Sequence, residues 1–202
     1  MANPHAAAES FGAVDARPQL SVEINGGLQS VPDDMIRGQH LYVDLDASIK
    51  HHFSTQVNPD CAAHLGSLLT REVIPSLSIA TFNPRAKNVR GLEGIIAPED
   101  IHVSERVRLG GRVLWLTKFN VDYWYMLADK KGVSSDQMAV LDNSYVGGLR
   151  AAWKAGCDVI KLEAMHRTPV PEGARLIQLA DERIRRRSYL FTSVDVDRAE
   201  AA

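Results

Sequence analysis

Apolar runs of four to six residues alternate along the chain with longer stretches whose apolar positions recur every three to four residues. His40 to Asp46 begins apolar and ends in acids, the pattern of a buried strand emerging at a sheet edge. Cys61 to Glu72 places Ala62, Leu65, Leu68 and Leu69 at helical spacing with Pro75 as the stop, and Leu77 to Thr81 predicts a second strand. A weaker helix is expected over Arg85 to Gly91, a third strand over Val113 to Leu116, and a helix over Val121 to Gly132, where glycine ends it. Met138 to Leu141 reads as a fourth strand, Leu149 to Ala155 as a short helix and Val159 to Leu162 as a fifth strand. Strands alternating with helices imply right-handed crossovers. The expected fold is α/β, a three-layer, Rossmann-like parallel sheet with helices on both faces.

The flanks read differently. Residues 1–17 mix Ala, Glu, Asp and Pro without a period, which predicts a mobile arm before a single domain over 18–202. Between Leu20 and His40, Asp33 is expected to cap a one-turn helix. Ala174 to Arg187 predicts an amphipathic helix, a C-terminal extension ending in Arg183, Arg185, Arg186 and Arg187.

Composition narrows the function class. With 45% apolar and 24% charged residues in 202, the chain suits a globular domain that buries roughly 70% of its unfolded surface. A formal charge of -2 argues against nucleic acid as the main partner. No apolar run reaches the roughly 18 residues of a membrane span, and no export signal is present. Cys61 and Cys157 form no zinc pattern and suit a reducing compartment, so a cytoplasmic address is expected. The arginine cluster fits a solvated helix end better than an anionic lipid surface, but leaves a peripheral membrane association open. A homo-oligomer stays open too.

In an open parallel sheet, ligands bind beyond the carboxyl ends of the strands. The first strand delivers Asp44 and Asp46, the second Thr81 and Asn83, the third Lys118, and the fourth Asp142 and Asn143. Two carboxylates two residues apart are expected to leave a strand end pointing the same way. One could attack phosphorus while the other trades protons. A hydroxyl and an ammonium suit phosphoryl oxygens, and the fourth-strand acid suits Mg²⁺. Each has a plainer reading as a turn residue, a solvated charge or a helix cap; their order along the chain favours chemistry. His51, His52 and His64 lack a third ligand and read as surface histidines, and Trp115, Trp124 and Trp153 as core or interface residues. No phosphate loop, dinucleotide glycine fingerprint or serine elbow is present.

These stretches resemble the four motifs of the haloacid dehalogenase superfamily of aspartate-nucleophile phosphatases. Val43-Asp44-Leu45-Asp46-Ala47-Ser48 is similar to the first motif, where the family usually has Gly or Asn after the acidic pair and then Thr. Ser78 to Asn83 resembles the second, Lys118 with Trp124 and Lys131-Gly132-Val133 the third, and Val140 to Ser144 with Gly148 the fourth. Only about thirty-five residues separate consecutive motifs up to Lys118, so the resemblance is to members without a large cap. Arg17 to Ile36 and the arginine tail further resemble the subfamily IIIA proteins that include phosphatidylglycerophosphate phosphatases.

The resemblance implies a Mg²⁺-dependent phosphomonoester hydrolase acting on a phosphorylated substrate that is large or membrane-borne. Asp44 would carry the phosphoryl group, Asp46 would serve as acid and base, and Thr81 and Lys118 would hold phosphoryl oxygens. Ser48 and Asn83 would contact substrate, and Asp44, Asp46 and a fourth-motif residue would bind the metal. Spacing from Lys118 selects Asn143 for that last ligand, whereas spacing from Gly156 selects Asp142. A neutral ligand there would weaken Mg²⁺, which implies as alternative a non-catalytic relative that binds or assembles through the same cleft.

Overall fold

The computed structural model describes residues 18–51, 54–109 and 112–165. Its main sheet is parallel and six-stranded: β1 (Ser21–Glu23), β8 (Asp158–Lys161), β7 (Met138–Asp142), β2 (His40–Val43), β3 (Ser76–Thr81) and β4 (Ile101–Val103), in that spatial order. Chain order reverses beside β2, because its successor β3 lies on one side and β7 on the other. Such a reversal opens a crevice at the carboxyl ends of the strands.

The strands are short apolar runs because both faces are covered. Leu41, Val43, Ile79, Leu141 and Ile160 point into one cluster, shared with α1 (Asp33–Ile36) and α2 (Pro59–Thr70) through Ile36, Leu65 and Leu68. Their neighbours Tyr42, Ala80, Val140 and Val159 point into a second cluster, with Trp124 and Leu127 of α3 (Val121–Lys131) and Ala151 and Ala152 of α4 (Arg150–Lys154). The α/β, three-layer expectation therefore holds.

Several local expectations are corrected. Val113 to Leu116 does not join the parallel sheet; it belongs to β6 (Arg112–Leu116), which pairs antiparallel with β5 (Glu105–Leu109) in a separate hairpin. The strand beside β3 is β4, whose three residues are too few to show a period. Arg85 to Gly91 holds only a single 3-10 turn, Ala86–Asn88. α1 starts behind Pro32 without a side-chain cap, so Asp33 and Asp34 serve its first turn by charge instead. α2 begins two residues before Cys61, because the Asn58 side chain accepts from the Asp60 and Cys61 amides and Pro59 fits the first helical position. Its end comes before Glu72, with Glu72 donating to Leu69 and Val73 to Leu68, and Glu72 at φ 55° where glycine is usual. The expected Leu149 helix is α4, entered from a π turn over Tyr145–Leu149. The expected N-terminal arm and the helix over Ala174 to Arg187 lie outside the described residues. Among the described residues, no helix is long and apolar enough to cross a membrane.

Candidate active site

Asp44 follows β2 directly and Asp142 ends β7, its neighbour. Val43 pairs with Leu141, so the two aspartates stand level on adjacent strands, and the Asp44 amide donates to the Leu141 carbonyl at 2.8 Å. Two buried carboxylates side by side repel each other unless a cation lies between them. Lys118 supplies it: its Nζ donates to Asp44 Oδ1 and to Asp142 Oδ2, both at 2.7 Å. All three side chains are under 10% exposed.

The lysine is held from behind. Asn120 Oδ1 accepts from the Thr117 amide at 3.2 Å and hydroxyl at 2.9 Å, and the buried Trp124 indole donates to the Lys118 carbonyl at 2.9 Å. Gly148 leaves the passage open, since a Cβ there would stand 3.1 Å from Lys118 Cδ and 3.2 Å from Asp142 Oδ2. Lys118 thus reaches the site from the segment between β6 and α3, not from a strand of the main sheet.

Burial holds the Asp44 carboxyl above the usual carboxylate range. Lys118 pulls the other way, and the charges of Asp142 and Asp46 add to the rise. The Lys118 ammonium is held charged well beyond the ordinary range of lysine, because Asp142 and Asp44 outweigh the opposing effect of its own burial. An Asp44 oxygen remains for chemistry, since no hydrogen bond among the described residues reaches Oδ2.

Asp46 departs from expectation. The strand ends at Val43 and the chain curls, with Lys50 donating to the Leu45 carbonyl and Ala47 to the Lys50 carbonyl. Asp46 pairs with Lys50, whose Nζ hydrogen-bonds Asp46 Oδ1 and, at 3.2 Å, the His51 carbonyl. Lys50 is 1% exposed and was invisible as a site residue in the sequence. Ala47 sits in this curl at φ 62°, a left-handed conformation that costs a non-glycine residue roughly 1–2 kcal/mol.

The fourth-strand residues divide the work. Asp142 Oδ1 accepts from the Ser144 amide at 2.9 Å while Oδ2 faces Lys118. The Asn143 amide lies beside Asp142 Oδ1 and the Asp46 carbonyl. With its nitrogen inward it donates to both at 3.2 Å; with its oxygen inward it accepts from Ser48 Oγ at 3.4 Å. In the second orientation three oxygens converge, a donor set suited to a hard cation that takes one or two carboxylates and keeps waters. Among the described residues no three His, Cys, Asp or Glu side chains gather for a metal, so any cation here would depend on carbonyl oxygens beside the carboxylates.

The remaining candidates have local partners. Thr81 ends β3 next to β2, and its Oγ1 accepts from the Asn83 amide at 3.2 Å. Asn83 Oδ1 in turn accepts from the Arg85 amide at 3.0 Å, a turn contact. Ser48 is fully buried and also accepts from the Asn143 backbone N–H at 3.2 Å, which ties it to the fourth-strand loop. His51 is exposed, Trp124 is core, and Cys61 and Cys157 are free, buried thiols.

No protein-family model matches the chain, and no curated protein does. Among solved structures it is similar to the NMR structure of the core domain of a protein assigned as a phosphoglycolate phosphatase from Streptococcus pneumoniae TIGR4. The identity is 16%, covering 73% of this chain and 98% of that one, with a TM-score of 0.43. A likeness of that degree says nothing of activity, so the reading rests on the side chains themselves.

Proposed function

We propose that the chain is a phosphomonoester hydrolase of the haloacid dehalogenase type, with the phosphoryl group carried on Asp44. The supporting observation is the Lys118 ammonium, 2.7 Å from two buried aspartates at the carboxyl ends of neighbouring strands. That placement lets one cation hold the attacking carboxylate and meet an incoming anion.

Asp44 Oδ2 attacks phosphorus, the bond from phosphorus to the alcohol oxygen breaks, and the leaving oxygen takes a proton from Asp46. With Oδ1 on Lys50, Asp46 Oδ2 is the atom that carries it. Water then attacks the aspartyl-phosphate, giving its proton to Asp46, and the bonding pair returns to Asp44 as phosphate leaves. Lys118 and the Thr81 hydroxyl stabilise the phosphoryl oxygens. Mg²⁺, when bound, neutralises charge on the transferring group; Asp44, Asp142 and the Asp46 and Asn143 carbonyl oxygens would hold it. Between Thr81 and Lys118 the described residues form β4, the β5–β6 hairpin, two short 3-10 turns and loops, which favours large or membrane-borne phosphates. Membership of the phosphatidylglycerophosphate phosphatase subfamily is the finer form of the same proposal.

Hydrolysis of an aryl phosphate with Mg²⁺ tests it. Asp44→Asn should lose at least about a thousandfold in rate, and trapping should place phosphoryl on Asp44 in the wild type. Equal rates in both proteins, or none in either with any divalent metal, would overturn it. A second reading has one observation in its favour: with its nitrogen inward, the Asn143 amide satisfies two oxygens of the cation site without a cation. The cleft would then bind or assemble without turnover, and the wild type would hydrolyse nothing.

A further inference from the structure

Each of the two residues placed to grip phosphoryl oxygens is followed by a phenylalanine: Thr81 by Phe82, Lys118 by Phe119. Their rings stack, with centroids 4.3 Å apart and planes 32° from parallel. Phe82 is nevertheless 38% exposed, and the Lys118 ammonium lies 5.5 Å from its ring centroid. A single exposed phenylalanine is ordinary on a protein surface. This one is fixed in place by a second ring and a buried cation, and that cation also touches Asp44. Anything bound by Lys118 therefore lies within about a ring's width of an ordered aromatic surface.

We infer that Phe82 and Phe119 form the leaving-group subsite, selecting phosphate monoesters whose alcohol carries an aromatic or other flat apolar group beside the phosphate. This rests on the phosphatase reading for its chemistry, but its geometry concerns binding. A small polar alcohol, such as the glycerol of phosphatidylglycerophosphate, would leave the Phe82 face wet, whereas a flat apolar group would cover it and stack, so this subsite and the subfamily reading select different substrates. The subsite thus discriminates by what the phosphate is attached to, while Lys118 and Asp44 are indifferent to it.

The test uses non-hydrolysable probes, benzylphosphonate and propylphosphonate, titrated calorimetrically into the full chain with Mg²⁺. The wild type should bind the benzyl probe about tenfold tighter, equivalent to about 1.4 kcal/mol. Phe82→Ser should bring the ratio of the two affinities close to one, and Phe82→Trp should keep it. A wild-type ratio near one, or the same ratio in Phe82→Ser, overturns the subsite. Hydrolysis of benzyl phosphate and propyl phosphate is measured beside it. Discrimination in binding without turnover of either ester would sink the phosphatase reading and leave the subsite standing. Turnover of both with no discrimination would do the reverse.

Discussion

Replacing Lys118 by Met keeps much of the side chain's length and removes only its charge, leaving Asp44 and Asp142 facing each other. Removing one partner from a buried ion pair costs about 3–5 kcal/mol, because the remaining charge is desolvated without compensation. Here two carboxylates lose the same partner, at 2.7 Å each. The folded variant has one way out, which is to bind a proton between them. Relative to a free carboxyl titrating near 3.8, that proton costs about 1.4 kcal/mol for each pH unit above it. The deficit is therefore capped at about 1.6 kcal/mol at pH 5, and the cap rises to about 6 kcal/mol by pH 8.

The sign follows from proton counting. A carboxyl raised in the folded state keeps its proton while the unfolded chain has lost it, so stability is greatest below the unfolded value and falls as pH rises through the folded one. Burial already raises Asp44 in the wild type, against the pull of Lys118, and the variant lacks that pull. Both proteins should lose stability above pH 4, the variant more steeply. Urea unfolding of the two proteins from pH 4.5 to 8, with a chelator present so that no divalent ion replaces the lysine, measures the difference. A deficit that stays flat across this range, or shrinks toward pH 8, would refute the placement of Lys118 between the two carboxylates.

Gly148→Ala should push Lys118 off its bridging position, because the added methyl would stand 3.1 Å from Lys118 Cδ and 3.2 Å from Asp142 Oδ2. Aryl phosphatase activity should fall at least about tenfold while unfolding free energy changes by about 1–3 kcal/mol, the usual range for overpacking; unchanged activity would show that the site tolerates a displaced lysine. Glu72→Gly relieves a left-handed residue at the end of α2, where Glu72 is exposed and its side chain adds no packing. Net of the extra freedom of glycine in the unfolded chain, about 0.5–1 kcal/mol of stabilisation is expected, read as a rise of roughly 1–4 °C in thermal midpoint.

Much of this site could be read from residue order. Asp44, Thr81 and Asp142 sit at strand ends where apolar runs stop, and burial on both faces made those runs visible. Lys118 was legible as a residue, but its setting was not. Arg106 to Leu109 alternates polar and apolar residues just before Gly110-Gly111, a hairpin signal that the unbroken apolar stretch Val113 to Leu116 obscured. β1 and β4 offer three residues each, too few for any period. Lys50 had even less to announce it. A lysine beyond a strand normally reads as solvated, and only its four-residue spacing from Asp46 hinted at a pair. Asn83 has a local role that the sequence also offered: an Asn before Pro84 is a natural turn former, and its carbonyl accepts from the Arg85 amide there.

Lys50 changes what the cluster asks of its ligand. With all three ionised, Asp44, Asp46 and Asp142 contribute three negative charges, and Lys118 and Lys50 answer with two positive ones, each in direct contact with its acid. The site is thus assembled and nearly neutral before any cation arrives, but one negative charge is left over. A phosphate monoester brings close to two more. In a setting this buried, an anion of that charge is repelled unless a divalent cation comes with it, which reverses the sign of the site. Phosphonate binding should accordingly depend on Mg²⁺ under the phosphatase reading. If Asn143 permanently fills the cation's place, the same cleft should refuse phosphate dianions at any Mg²⁺ concentration, and its natural ligand would have to be neutral or cationic. The two readings therefore differ already at the binding step, before chemistry is asked for.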